Sequence, residues 1–117
     1  SSQFEYEFIS CQDIVNPDHK LLQHLCDSMG MQRIYNVPVV HCRDSYGVIL
    51  EHKCGWKVVY SGDTRESSEL IAAGKDSTVL IHDANFEDAM QQEAIAKKHS
   101  TTQEAINSGI KYVFVSR

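Results

Sequence analysis

At Glu66 the apolar period of the chain switches, and no other feature constrains the fold as tightly. Upstream, "IYNVPVVHC", "YGVILEHK" and "WKVVYSG" are rich in β-branched and aromatic residues and read as strands, the last two joined by a tight turn at Cys54-Gly55. Downstream, helix and strand alternate. "RESSELIAAGK" reads as a short helix closed by Gly74 and "STVLIH" as a strand. "NFEDAMQQEAIAKK" reads as a helix capped by Asn85, with Glu87 and Asp88 in its first turn and Lys97 and Lys98 in its last, matching the macrodipole. "STTQEAINSG" opens on Thr101 and Glu104 at capping-box spacing and is expected to stop at Gly109, before a final strand "KYVFVS". Two elements precede the switch. "FEYEFI" places Phe4, Tyr6 and Phe8 on one face of a strand. "NPDHKLLQHLCDSMG" reads as a helix capped by Asn16, with Pro17 at its first position, a stripe of Leu21, Leu22, Leu25, Cys26 and Met29, and Gly30 as its stop. Hairpins passing into β-α-β-α-β units predict a layered α/β domain.

The 117 residues suffice for one small domain with a modest core. No apolar run approaches a membrane span, and no basic segment followed by an apolar one opens the chain, so neither a membrane nor a secretory signal is expected. The sequence opens on Ser1 rather than Met, so the start of the gene product is expected upstream. A net charge of −5 argues against a broad basic face that grips phosphates. It leaves room for a metal-dependent nucleic-acid enzyme, because divalent cations supply local positive charge. Cys11, Cys26, Cys42 and Cys54 form no C-x-x-C pair, which speaks against a zinc ribbon or thioredoxin motif. They are expected to be reduced and mostly buried.

Several chemistry-bearing residues fall at predicted strand ends, where side chains from distant segments converge in α/β sheets. His41 follows "VPVV", Asp63 follows "VVYSG", His82 and Asp83 follow "TVLI", and His99 precedes a capped helix start. Imidazoles and carboxylates so placed suit zinc or a related metal, and a carboxylate such as Asp63 can bridge two ions. Each residue also has a plainer reading. Asp63 could cap the helix after Glu66, His41 could be a hydrogen-bonded strand-end histidine, and His99 could be an ordinary loop residue. His82 is expected in a core or supporting role, His19 and His24 on a solvated helix face, and His52 exposed in the hairpin. From spacing alone, a metal site is one option among these.

The blocks "PVVHCRDSYGV", "GWKVVYSGDTR", "GKDSTVLIHDANFED" and "AIAKKHSTTQEAI" follow one another in the order found in the tRNase Z (ribonuclease Z) family. Over roughly Val37 to Gly109 the chain most resembles the carboxyl-terminal half of the long form. The resemblance implies the metallo-β-lactamase fold, an α/β four-layer αββα sandwich, of which residues 1–117 would form the carboxyl-terminal half. It implies zinc-dependent endonucleolytic removal of 3′ trailers from precursor tRNA, with two zinc ions per intact site. By the same resemblance His41 and Asp63 match metal ligands, Asp63 the bridging one, while Asp83 orients His99, which protonates the leaving oxygen. The long form further implies a nuclear and mitochondrial location. The sequence departs from the family at Asp83, where Glu is usual, at Asn85, where Thr is usual, and at Glu66, where Pro is common. The family's H-x-H-x-D-H block and final His-Phe-Ser-x-Arg block are not present. The chain is therefore expected to be an inactive, marginally stable fragment, exposing an apolar face to which Val39, Ile49, Val58, Val79, Ile81 and Val113 contribute. It would pair with the missing amino-terminal half or form a homodimer. The competing readings are another hydrolase of this superfamily and a non-catalytic interaction module.

Overall fold

The computed structural model describes residues 8–16 and 18–113, without the side chains of 111–113. Among the described residues four strands form one sheet in the order β1-β2-β3-β4: β1 (Met31–Pro38), β2 (Tyr46–His52), β3 (Lys57–Tyr60) and β4 (Val79–Ile81). The β1/β2 and β2/β3 pairs are antiparallel, and β3/β4 is parallel. It follows that β1, β3 and β4 all run in one direction, and their carboxyl ends share one edge of the sheet. This shared edge positions the site.

Alternation along the strands sends side chains to two faces. On one face Val37, Ile49 and Val59 pack with Leu70 of α2 (Ser68–Ala73), flanked by Tyr35, Val39 and Leu80. Helix α4 (Thr102–Val113) joins this layer against α2. On the other face Ile34, Val48 and Leu50 pack with Leu22 of α1 (Lys20–Met29) and with Met31. Helix α1 packs on β1, with Val48 and Leu50 of β2 against the same cluster. Over β3 and β4 that face is open, and Tyr60, Val79 and Ile81 are about half exposed. Of the expected apolar face, Val79 and Ile81 are thus exposed, whereas Ile49 is fully buried against α2 and Val113 lies in a helix.

Caps explain some of the element ends. Ser67 Oγ accepts the Leu70 N–H at the start of α2. Gly30 closes α1 in the left-handed region (φ 69°), and Gly74 follows α2. Several sequence expectations need correction. Asn16 does not cap α1: its side-chain oxygen accepts the Asp18 N–H in a local turn, and the helix starts only at Lys20. Of the α1 stripe only Leu22 is buried, and Met29 is largely exposed. Pro17 and residues 1–7, including Phe4 and Tyr6, lie outside the described residues; Phe8 and Ile9 are in no strand. The helix expected from Asn85 begins later. Phe86 bridges to Thr101 and holds the backbone extended, so a 3-10 turn (Asp88–Met90) leads into α3 (Gln91–Lys97). Gly109 does not end α4, which runs through it to Val113; the expected last strand is therefore helical over 111–113, and 114–117 lie outside the described residues. The cysteines are free, but Cys11, Cys42 and Cys54 are exposed and Cys26 half-buried, because three of them sit in turns and loops rather than in packed elements. No helix among the described residues is long and apolar enough to cross a membrane.

Candidate metal and proton-transfer site

Four loops meet at the shared strand edge. His41 follows β1, Asp63 follows β3, Asp83 follows β4, and His99 lies between α3 and α4. All four predicted site residues come together there. Asp63 caps nothing, since the α2 cap is Ser67, and its carboxylate is 60% exposed. Its two oxygens face two histidines: Oδ2 is 3.9 Å from His41 Nε2, and Oδ1 is 3.9 Å from His99 Nδ1. These separations are too long for hydrogen bonds. The His41 and His99 rings are tilted against each other at 4.9 Å between centroids.

The backbone fixes which nitrogen of His41 is available. Its Nδ1 lies 2.8 Å from the Lys98 carbonyl oxygen. A carbonyl only accepts, so Nδ1 carries the proton and Nε2 keeps its lone pair toward Asp63. This arrangement, with one ring nitrogen tied to a backbone oxygen and the other free, is the usual setting of a metal-binding histidine. Lys98 itself has φ 57°, a left-handed conformation uncommon outside glycine, which ends α3 and turns its carbonyl toward His41. With Asp63 lacking any hydrogen bond among the described residues, the donor set fits a divalent metal of the zinc type. His41, Asp63 and His99 each offer an atom within 4.8 Å of the others.

Asp83 is organised differently. Its side chain is 1% exposed. Oδ2 accepts the Thr64 N–H at 2.9 Å and faces His99 Nδ1 at 2.8 Å, while Oδ1 accepts the Asn85 N–H at 3.0 Å. Burial pushes its pKa up, but the Thr64 amide, His99 and the Asn85 amide outweigh that and hold the carboxyl below the ordinary range. The ionised carboxylate can only accept, so His99 carries its proton on Nδ1 and Nε2 is free. Asn85 Nδ2 lies 3.0 Å from the same Nδ1; that contact becomes a hydrogen bond only with the amide turned so that its oxygen faces the ring. The shorter Asp side chain at position 83 thus reaches His99 directly, and Asn85 flanks the ring instead of capping a helix.

Buried hydroxyls weld these loops, and the sequence reading did not single them out. Ser61 Oγ accepts the Asp83 N–H at 2.8 Å, Thr64 Oγ1 accepts the Val40 N–H at 3.0 Å, and Ser100 Oγ donates to the Thr64 carbonyl at 2.5 Å. The available signal was small hydroxyl residues flanking Gly62-Asp63 at the end of an apolar strand. Also unforeseen was the ion pair of Arg65 with Glu104, which was read only as a capping residue. His82 lies just beyond β4, its Nδ1 near its neighbour's carbonyl. His52 is not simply exposed: it stacks on Trp56 and reaches the Met29 carbonyl.

The Arg65 pair holds the Glu104 carboxyl down at about 2, against an ordinary 4.5. The folded value lies below the unfolded one, so the pair contributes stability that is fully present above pH 4.5 and is lost as pH falls toward 2. The urea midpoint is expected to fall across that window, and Glu104→Gln to flatten the fall. An unchanged profile would show that the pair contributes nothing in solution.

No protein-family model matches the chain. Its sequence is 48% identical over 103 residues to a mitochondrial tRNase Z of Arabidopsis thaliana, covering 80% of this chain and 11% of that protein. It is 42% identical over 92 residues to the human zinc phosphodiesterase ELAC protein 2, covering 79% of this chain and 11% of that protein. Over most of its length the chain is homologous to tRNase Z proteins. It spans about a tenth of the length of these tRNase Z relatives. A long-form RNase Z from yeast superposes with a TM-score of 0.73 at 29% identity, over 81% of this chain and 14% of that one. The human short-form tRNase Z superposes at 0.62 and 24% identity, over 68% of this chain and 32% of that one. The Bacillus subtilis metallo-β-lactamase fold protein YhfI superposes at 0.60 and 20% identity, over 68% of this chain and 32% of that one. The architecture is that of the metallo-β-lactamase fold, and the expectation drawn from the sequence blocks holds for the resemblance and for the fold.

Proposed function

We propose that this chain is part of a zinc-dependent endoribonuclease that removes 3′ trailers from precursor tRNA. The observation that carries the reading is the buried Asp83–His99 pair set against an exposed Asp63 and a tautomer-fixed His41. His41 Nε2 and the Asp63 carboxylate would hold metal, with Asp63 shared between two zinc ions. Two bound zincs would supply a nucleophile at neutral pH and charge for the phosphoryl oxygens. This chain's residues do the rest. Asp83 holds the Nδ1 proton and supports the imidazolium formed when Nε2 also takes up a proton from solvent, and His99 Nε2 then donates that proton to the oxygen that leaves as the tRNA 3′ hydroxyl. The reading is supported by the names of the relatives, tRNase Z and zinc phosphodiesterase. A mitochondrial location goes with it, as named for two Arabidopsis relatives, and a nuclear one extends it.

The remaining ligands would come from an amino-terminal half docked on the open face of Tyr60, Val79 and Ile81. The 117 residues alone are then expected to be inactive and to bind zinc weakly, since His41 and Asp63 leave each ion incomplete. Sedimentation velocity and zinc titration with and without that half check this. A monomer that binds two zincs tightly and cuts precursor tRNA by itself would contradict it, and a stable homodimer indifferent to the other half would assign the face to self-association.

Asp83→Asn in the full-length protein is expected to lower kcat about a hundredfold, because Asn cannot support charge on the ring. Zinc content measured by atomic absorption should not change. Loss of zinc would instead make Asp83 part of the metal shell.

A further inference from the structure

We propose that Arg65 and Glu104 form a positioning clamp that holds His99 in register with Asp83 and Asp63. The proposal rests on the reading of His99 as the proton donor. Arg65 Nη1 donates to Glu104 Oε1 at 2.7 Å and Nη2 donates to Oε2 at 2.6 Å, a fork-on-fork pair with both side chains under one fifth exposed. Nη1 also donates to the carbonyl oxygen of His99 itself at 2.7 Å. On the other side, the Arg65 backbone N–H donates to the Val40 carbonyl at 2.9 Å, one residue before His41. Arg65 lies two residues after Asp63. One residue therefore ties together the backbones that carry His41, Asp63 and His99.

Glu104 completes the clamp from the helix side. Its Oε1 accepts the Thr101 N–H at 2.9 Å, and its own N–H donates to Thr101 Oγ1 at 3.3 Å. A capping box needs only that reciprocal pair. The second carboxylate oxygen and the guanidinium are surplus to capping α4. What they add is a fixed direction for residues 99–101, gripped at the His99 carbonyl and at the Thr101 amide. The His99 ring must keep 2.8 Å to Asp83 while its other nitrogen points at substrate, and a shift near 1 Å at such a group costs about a hundredfold in rate. Lysine at position 65 could make one of these contacts but not the fork.

The test uses the full-length zinc-loaded protein with Arg65→Met, Arg65→Lys, Glu104→Gln and His99→Ala, assayed on two substrates. Precursor tRNA has an alkoxide leaving group that needs a proton; bis(p-nitrophenyl) phosphate has a phenolate that does not. Arg65→Met is expected to lower kcat on precursor tRNA by about thirtyfold or more, with KM and the phosphate-diester rate within about threefold. Zinc content should stay at the wild-type level, and Arg65→Lys should recover part of the loss. A second readout needs no turnover: the His99 Nδ1 proton, held by Asp83, should give a downfield resonance that broadens in Arg65→Met. Equal losses on both substrates, lost zinc, or an unchanged resonance with full activity would overturn the clamp. His99→Ala separates the two claims. If it shows no difference between substrates, the proton-donor assignment fails and the clamp fails with it as a catalytic device; if it shows the difference and Arg65→Met does not, the clamp alone fails.

Discussion

Asp63→Ala in the full-length protein is expected to lower kcat on precursor tRNA by roughly three orders of magnitude or more, because metal charge is among the largest catalytic terms. Among the described residues Asp63 is the one carboxylate whose two oxygens face both histidines, and it has no competing structural task there. It caps no helix, is largely exposed, and accepts no hydrogen bond among the described residues. Its removal should therefore leave thermal stability almost unchanged while bound zinc falls. Ser67→Ala is the matching control. It deletes the real α2 cap and should cost about 1 kcal/mol of stability with turnover retained. The reverse pattern, with Asp63→Ala melting early and turning over normally, would return Asp63 to the turn-forming role that its sequence position also allowed.

His99→Ala is the second large effect. A lost proton donor typically costs about a hundredfold to ten-thousandfold, and here the leaving group is a poor one. Zinc content separates the two ways this could happen. His99 Nδ1 is engaged by Asp83, so the ring is directed to proton transfer, and the variant should keep its metal. A variant that lost zinc in proportion to activity would place His99 among the ligands, a role its proximity to His41 and Asp63 also permits.

The sheet and the site loops were legible in the sequence because local signals and tertiary packing agree there. Strands β2 and β3 carry β-branched side chains on both faces and a turn at Cys54-Gly55, and the Thr101–Glu104 box forms as spaced. Helix ends were less legible. Asn16 and Asn85 carry good capping side chains, yet each is committed elsewhere: Asn16 to the Asp18 amide, and Asn85 to the surroundings of His99. Gly109 looked like a stop, but it does not take the left-handed conformation with which Gly30 closes α1, and α4 runs on through it. Among site residues, His41, Asp63, Asp83 and His99 were marked by position at strand ends and by family resemblance. Arg65 and the hydroxyls of Ser61, Thr64 and Ser100 were not, because what they do depends on partners 22 to 39 residues away, such as Thr64 with Val40 and Arg65 with Glu104.

The most direct measurement is to incubate the full-length protein containing this chain, with zinc, and a precursor tRNA carrying a 3′ extension, and to map the ends of the products. The account predicts a single cut on the 3′ side of the discriminator base, a tRNA ending in a 3′ hydroxyl, and loss of the cut on chelation with recovery when zinc is restored. A well-folded, zinc-loaded protein that leaves the trailer intact, or cuts at scattered positions independent of metal, would contradict it.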